Sequence, residues 1–228
     1  GEYWNRNLQS LENYITKTNS SIPLFDVPLH YNLFEASNSN GNYDMARIFD
    51  NTLVKEMPQL AVTFVDNHDV TRIASILTNK NHLPLAYGLL FGMPGIPCIY
   101  YGSEWGEEGV KAPDNDYALR PCFEEPKPNE LTDFIKELIE VRRNSDALCN
   151  GSYRNVVITN HQLIFERRTD NERVLVAINA GDSEFTAGNG ELQGTFTELL
   201  VNTDEAETVT LNGQLTMPAY SVQFLKAV

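Results

Sequence analysis

Short apolar runs alternate with amphipathic stretches along the first 145 residues. Leu8, Leu11 and Ile15 recur at spacings of three and four, which predicts a helix over residues 7–17 that polar KTNSS ends. IPLFDVPLHYNL then reads as a short apolar strand carrying two prolines, and ASNSNGNYD as a turn-rich loop. MARIFDNTLVKEM has a helical pattern that Pro58 stops, and LAVTFVD is the next strand. VTRIASIL and LPLAYGLLFGM are helical, and GIPCIYY is again a strand bounded by Gly and Pro. A long polar loop leads to LTDFIKELIEVRRN, a helix with Phe134, Leu138 and Val141 on one face and Ile135 and Ile139 beside them. Strands alternating with helices predict a parallel sheet built of β-α units.

The pattern changes near residue 150. YRNVVITN, QLIFERRT, RVLVAINA, TFTELLV, ETVTLNG and AYSVQFLKA are short strands separated by turn signals, the pattern of an antiparallel β-sandwich. The boundary falls in DALCNG, residues 146–151, so residues 1–148 form an α/β domain and residues 149–228 an all-β domain. No internal repeat or low-complexity tract interrupts either.

Composition narrows the partners. With 17 basic and 31 acidic residues the net charge is −14, and no basic run offsets it, so nucleic acid and anionic membranes are disfavoured. No apolar run reaches the roughly 18 residues of a membrane span. Cys98, Cys122 and Cys149 are far apart and show neither a metal spacing nor a disulfide framework. No metal site is expected from them.

Candidate chemistry gathers where strands end, because parallel β-α architectures collect reactive groups at the carboxyl ends of their strands. FVDNHD, residues 64–69, places Asp66, Asn67, His68 and Asp69 at such an end, where charges are costly to desolvate unless they are used. A capping cluster and a functional cluster both fit that stretch. Asp116 and Arg120 in DNDYALRPCF fit a loop salt bridge. EWGEEG, residues 104–109, is acidic enough for Ca²⁺ but reads as a solvated loop. His30 and His82 read as packing or surface residues. Tyr3, Trp4 and Trp105 have flat faces for stacking, and Glu2, an acid at the chain's end, reads by itself as solvated.

FVDNHD followed some thirty residues later by GIPCIYYGSE resembles the α-amylase family of glycoside hydrolases. The resemblance covers the whole chain. GEYW is similar to that family's fifth barrel strand, LFDVPLHYNL to the sixth, TFVDNHD to the seventh and GIPCIYYG to the eighth. LIFERRTDNERVLVAINAGD and LTMPAYSVQFL look like its closing all-β domain. The fold so implied is the carboxyl-terminal half (strands 5 to 8) of a (β/α)8 barrel followed by an antiparallel β-sandwich. The resemblance implies that Glu2 is the general acid/base and Asp69 the carboxylate that stabilises the transition state by holding ring hydroxyls. His68 would bond the same sugar, Trp4 would stack on substrate, and Asp116 with Arg120 would reach a glucose deeper on the non-reducing-end side. Asn67 would support the turn, and Asp66 is read as structural.

The family's nucleophile is an aspartate in a Gly-x-Arg-x-Asp context, and no such stretch occurs among residues 1–228. The expectation is therefore the carboxyl-terminal part of a retaining endo-α-1,4-glucan hydrolase acting on starch or malto-oligosaccharides, inactive alone. The missing amino-terminal half would bring the nucleophile and any Ca²⁺; no cofactor is expected in this chain. Open barrel edges predict that the chain is held against that half or self-associates along the seam. An α-glucan transglycosylase or cyclomaltodextrinase-like member of the family is the close alternative, although Val-Asp before NHD favours the hydrolase. A non-catalytic glucan-binding fragment is the alternative of another class.

Overall fold

Asn7 opens the first helix. Its side-chain oxygen accepts the Ser10 N–H at 3.0 Å, capping α1 (Leu8–Thr18). Leu11 and Ile15 are buried one turn apart, as the spacing predicts, and Asn19 ends the helix in a left-handed conformation at φ 47°. The computed structural model describes residues 1–38, 47–200 and 208–228. Most of ASNSNGNYD lies outside them, as do the ends of three expected elements at Met45–Ala46, Val201 and Glu207. The chain divides into two compact units, Gly1–Leu83 with Gly95–Ile135, and Pro84–Pro94 with Lys136–Val228.

The first unit corrects the reading of IPLFDVPLHYNL. Only Leu24–Phe25 form strand β1, and helix α2 (Val27–Asn38) begins two residues later. Asp26 makes the switch: its N–H still bonds Val62 O in the sheet, while its own carbonyl accepts His30 N–H and its Oδ1 accepts Leu29 N–H at 3.1 Å. Pro28 falls in the first turn, where a missing N–H costs nothing. Asp26 also accepts the N–H groups of Leu53 and Val54 at the start of α3 (Leu53–Glu56). One buried carboxylate thus starts two helices. The long helix expected over MARIFDNTLVKEM shrinks to α3, because Asn51 turns the chain at φ 51°. VTRIASIL likewise yields only α4 (Ile73–Ile76).

Strands β1, β2 (Ala61–Phe64) and β3 (Ile96–Cys98) pair in parallel in the order β1-β2-β3, with Phe25 opposite Val62 and Phe64 opposite Cys98. GEYW forms no ladder; Gly1 makes two bonds to the backbone beside it, accepting Phe25 N–H at 3.3 Å and donating from its amino terminus to Pro23 O. Their parallel direction brings the carboxyl ends of all three strands to one edge, which positions Asp26, Asp66–Asp69 and Tyr100–Tyr101 together. Gly95, at φ 99°, starts β3 where a Cβ would stand 2.8 Å from the Thr63 methyl.

In the second unit, β4 (Ser152–Ile158), β5 (Gln162–Arg168), β6 (Arg173–Asn179), β7 (Phe185–Glu198), β8 (Thr208–Met217) and β9 (Ser221–Ala227) form one antiparallel sheet, ordered β4-β5-β6-β9-β7-β8. The sheet curls on itself. Asn189 of β7 donates to Val156 O of β4 at 2.8 Å, and Ile164, Leu175, Phe196, Leu211 and Met217 from four strands share one core. The two packed faces of a sandwich here belong to a single curled sheet. Buried Asn179 closes the β6 end, donating to the carbonyls of Ser183, Met217 and Pro218 and accepting from Gln162 and Gly181.

The Pro84–Gly92 part of α5 (His82–Gly92) packs on this sheet through Gly88 and Gly92, one turn apart on one face. A Cβ at Gly88 would lie 2.7 Å from the Val222 methyls, and one at Gly92 2.9 Å from Val176. Two buried guanidiniums hold the end of this helix. Arg142, on α6 (Glu130–Arg143), donates to Phe91 O and Met93 O at 2.6 and 2.8 Å, and Arg167 donates to Gly92 O at 2.8 Å. Cations at a helix carboxyl end satisfy its last carbonyls and oppose its dipole. Burial lowers both, Arg142 to about 10 and Arg167 to about 9, so both stay charged at neutral pH.

Two predictions follow from these packings. Asp26→Ala orphans three buried N–H groups and should cost about 3 kcal/mol or more in urea unfolding. Burial raises the Asp26 carboxyl above its ordinary 3.8, against its three backbone hydrogen bonds. The stability it contributes is therefore complete below that pH and is lost as pH rises through the folded-state value. Asp26→Asn should accordingly be most damaging in acid and less so at neutral pH. In the second unit, Gly88→Ala and Gly92→Ala should each lower the unfolding free energy by about 1–3 kcal/mol through overpacking.

Candidate active site

The end of β2 is held by buried polar groups before it reaches any chemistry. Asp66, 2% exposed, accepts Ile73 N–H at 2.8 Å, starting α4, and the Ser103 hydroxyl at 2.7 Å. Burial raises its carboxyl above the usual range, while those two hydrogen bonds and nearby Arg72 pull it down. Arg72 is fully buried. It donates to Tyr101 O, the Ser103 hydroxyl and Leu119 O at 2.7, 2.8 and 2.9 Å, and its guanidinium lies 4.2 Å from the Tyr100 ring centre. Asp66 is thus structural, and Arg72 is its counterpart. Nothing in VTRIASIL marks Arg72 as the residue that ties the end of β2 to two distant turns of the connection between β3 and α6.

Asn67 turns the chain outward, its Oδ1 accepting Asp69 N–H at 2.9 Å. His68 and Asp69 stand half-buried beyond it, His68 Nε2 lying 3.3 Å from Asp69 Oδ2. Exposed Glu2 joins them: the ligating atoms of Glu2, His68 and Asp69 all lie within 4.8 Å of one another. These three also form a possible cation-ligand set among the described residues, although exposed acids commonly gather without one.

A chain of alternating charges continues from Asp69. Arg120 donates to Asp69 Oδ1 at 2.7 Å and to His68 O at 3.2 Å, and lies 3.5 Å from Asp116 Oδ2. Lys111 Nζ meets Asp116 Oδ1 at 3.2 Å. Asp116 and Arg120 therefore form the salt bridge that the loop reading expects, and they form it against Asp69. Two acids of EWGEEG are separately engaged, Glu107 by the Trp105 indole and Glu108 by Lys80, while Glu104 Oε2 is buried without a hydrogen-bond partner among the described residues. Trp105 packs edge-on against Phe123, and Tyr3 stacks on Tyr14.

An open cavity of about 470 Å³ is lined by Asp69 together with Trp4, His30, Tyr31, Thr71 and Lys111. His30, read from sequence as a packing residue, does pack, stacked on Phe64 with ring centres 5.1 Å apart, and it also lines the cavity. Burial holds its imidazole down to about 4, against its hydrogen bond to Val65 O, with Arg6 lowering it further. It is neutral at pH 7. Tyr31 escaped notice in the sequence because the run around it read as a strand.

The strand-end cluster and the curled sheet have known counterparts. Residues 1–136 match the family profile described as alpha amylase, catalytic domain, and residues 154–228 that of the alpha amylase C-terminal all-beta domain. An α-amylase of Geobacillus stearothermophilus is 45% identical over 126 residues, 54% of this chain and 23% of that protein. The cytoplasmic α-amylase of Escherichia coli is 30% identical over 226 residues, 94% of this chain and 43% of its own length. The crystal structure of the α-amylase from Geobacillus thermoleovorans, complexed with acarbose, superposes at a TM-score of 0.83 and 20% identity, over 99% of this chain and 52% of that one. The chain thus spans from about a quarter to about half of these relatives. Its first 136 residues carry the family's catalytic-domain pattern and its last 75 the closing all-β domain, and the chain belongs to the α-amylase family of glycoside hydrolases.

Proposed function

We propose that the chain supplies the acid/base and transition-state-stabilising side of a retaining endo-α-1,4-glucan hydrolase acting on starch and malto-oligosaccharides. The observation that carries the reading is the convergence of Glu2, His68 and Asp69 within 4.8 Å, at the carboxyl edge of a parallel sheet. Retaining cleavage needs a protonated carboxyl beside the glycosidic oxygen and negative charge near an oxocarbenium-like carbon. Glu2 takes the first role, passing its proton to the departing oxygen as the bond to the anomeric carbon breaks. In the second half-reaction it takes a proton back from water.

Asp69 takes the second role. Arg120 on its Oδ1 and the Asn67 turn fix its orientation, so the carboxylate meets the forming cation already positioned. His68 bonds the same sugar, Trp4 offers its half-exposed ring for stacking, and Asp116 with Arg120 reaches a glucose farther along. The covalent step needs an aspartate that residues 1–228 do not provide in the family's Gly-x-Arg-x-Asp form. Any Ca²⁺ belongs with that part of the enzyme. Among the described residues β1 and β3 are the sheet's outer strands, so the chain either docks on the remaining barrel or pairs with itself.

In the complete enzyme, Glu2→Gln and Asp69→Asn should each lower kcat on soluble starch by about 10²–10⁴-fold, with glucan binding by calorimetry largely kept. Wild-type rates in either variant would defeat the assignments. Residues 1–228 purified alone should release no reducing ends from starch and should elute above monomer mass. Hydrolysis above background would mean that the chain holds its own nucleophile, and a compact monomer would remove the pairing argument.

A further inference from the structure

The cavity beside Asp69 has one wall to which the roles above assign nothing. Tyr31 lies in the first turns of α2, the helix whose start the buried Asp26 fixes. Its ring is held from several sides. The Arg6 guanidinium lies 3.3 Å from the ring centre, Trp4 meets it edge-on at 6.4 Å, and His30 does so at 5.4 Å. Arg6 is itself 3.6 Å from Glu35. An aromatic ring clamped in this way loses little freedom when a ligand packs against it.

We propose that Tyr31, backed by Arg6, is the aromatic wall for a glucosyl unit on the leaving-group side of the cleft, and thereby helps to set where a glucan is cut. The inference rests on the glucan-hydrolase reading. Trp4 supplies the direction: it follows the acid Glu2 by two residues, and an acid must stand at the departing oxygen. The sugar just beyond that oxygen is the one released, and the cavity that Trp4 shares with Tyr31 receives it. At about 470 Å³ the cavity lies in the range of small-ligand sites.

Its remaining lining suits a sugar's alternation of apolar faces and hydroxyl edges. With one face of Tyr31 covered by Arg6, the ring turns its other face or its hydroxyl edge to the ligand. The neutral His30 donates from Nδ1 to Val65 O, which leaves Nε2 as an acceptor for a hydroxyl. Lys111, also in the lining, is fixed at both ends, its N–H on the Thr71 hydroxyl at 3.0 Å and its Nζ at Asp116. It is placed to donate to sugar oxygens without collapsing into the cavity.

The test is the cutting pattern of the complete enzyme on end-labelled maltoheptaose. Tyr31→Ala should move the preferred bond and lower kcat/KM by about five- to tenfold, mostly through KM. Tyr31→Phe, which keeps the ring, should restore the wild-type pattern, and Arg6→Met should shift it in the same direction as Tyr31→Ala, but less. An unchanged pattern in Tyr31→Ala overturns the proposal. Should that variant be unstable, Tyr31→Leu well below its unfolding midpoint replaces it, since loss of folded enzyme lowers the rate without moving the bond cut. Should the wild type not cut maltoheptaose at all, the hydrolase reading has failed. Calorimetry with the same oligosaccharide then decides for Tyr31: weaker binding by Tyr31→Ala supports the wall, and equal binding overturns it.

Discussion

A fully buried guanidinium needs acceptors around its fork, and Arg72 finds them in loops far apart in sequence. Tyr101 and Ser103 follow β3, Leu119 lies in the long polar loop, and Asp66 at the end of β2 meets the same Ser103 hydroxyl. Removing one partner of such a buried set strands the other without solvation, which costs several kcal/mol. The set therefore fixes the loops against one another. Because Asp66 is committed downward to Ile73 and Ser103, the residues after it turn outward, and His68 and Asp69 stand half-buried beyond it, their side chains 3.3 Å apart.

The same logic recurs in the second unit with a different geometry. Arg142 and Arg167 end a helix rather than a strand, supplying cations to carbonyls that the helix itself leaves unpaired. Glycines at 88 and 92 let that helix approach the sheet closely, and the charged caps hold it there. In both units the buried charges carry no chemistry of their own. They define the frame in which exposed charges work.

Lys111, Asp116, Arg120, Asp69 and His68 form a chain of polar contacts along the edge of that frame. Each link is partly exposed, so each contributes little to stability. Its value is orientation: Arg120 on one oxygen and His68 beside the other hold the Asp69 carboxylate in one place, which is what its proposed stabilising role asks of it.

Periodicity by itself determined α1 and α6, because one buried face at a fixed spacing suffices to specify them. By contrast, α5, β5 and β6 are buried on nearly every residue and read from the sequence as apolar runs between turn signals. The strand-end cluster Asp66–Asp69 was legible too, since four polar groups after an apolar run have few physical uses. Tertiary structure alone decided the rest. VPLHYNL has enough apolar residues for a strand, and only Asp26, with a sheet bond on one side and two helix starts on the other, makes it a helix. The first half of β7 carries turn-like AGNGELQG, and pairing with β8 across a register shift between Gly188 and Gln193 holds it extended. Arg72 and Tyr31 carry no local signal at all, because what defines them is the set of loops and rings around them. The bond from Arg120 to Asp69 spans 51 residues of sequence, and only the folded chain brings the two side chains together.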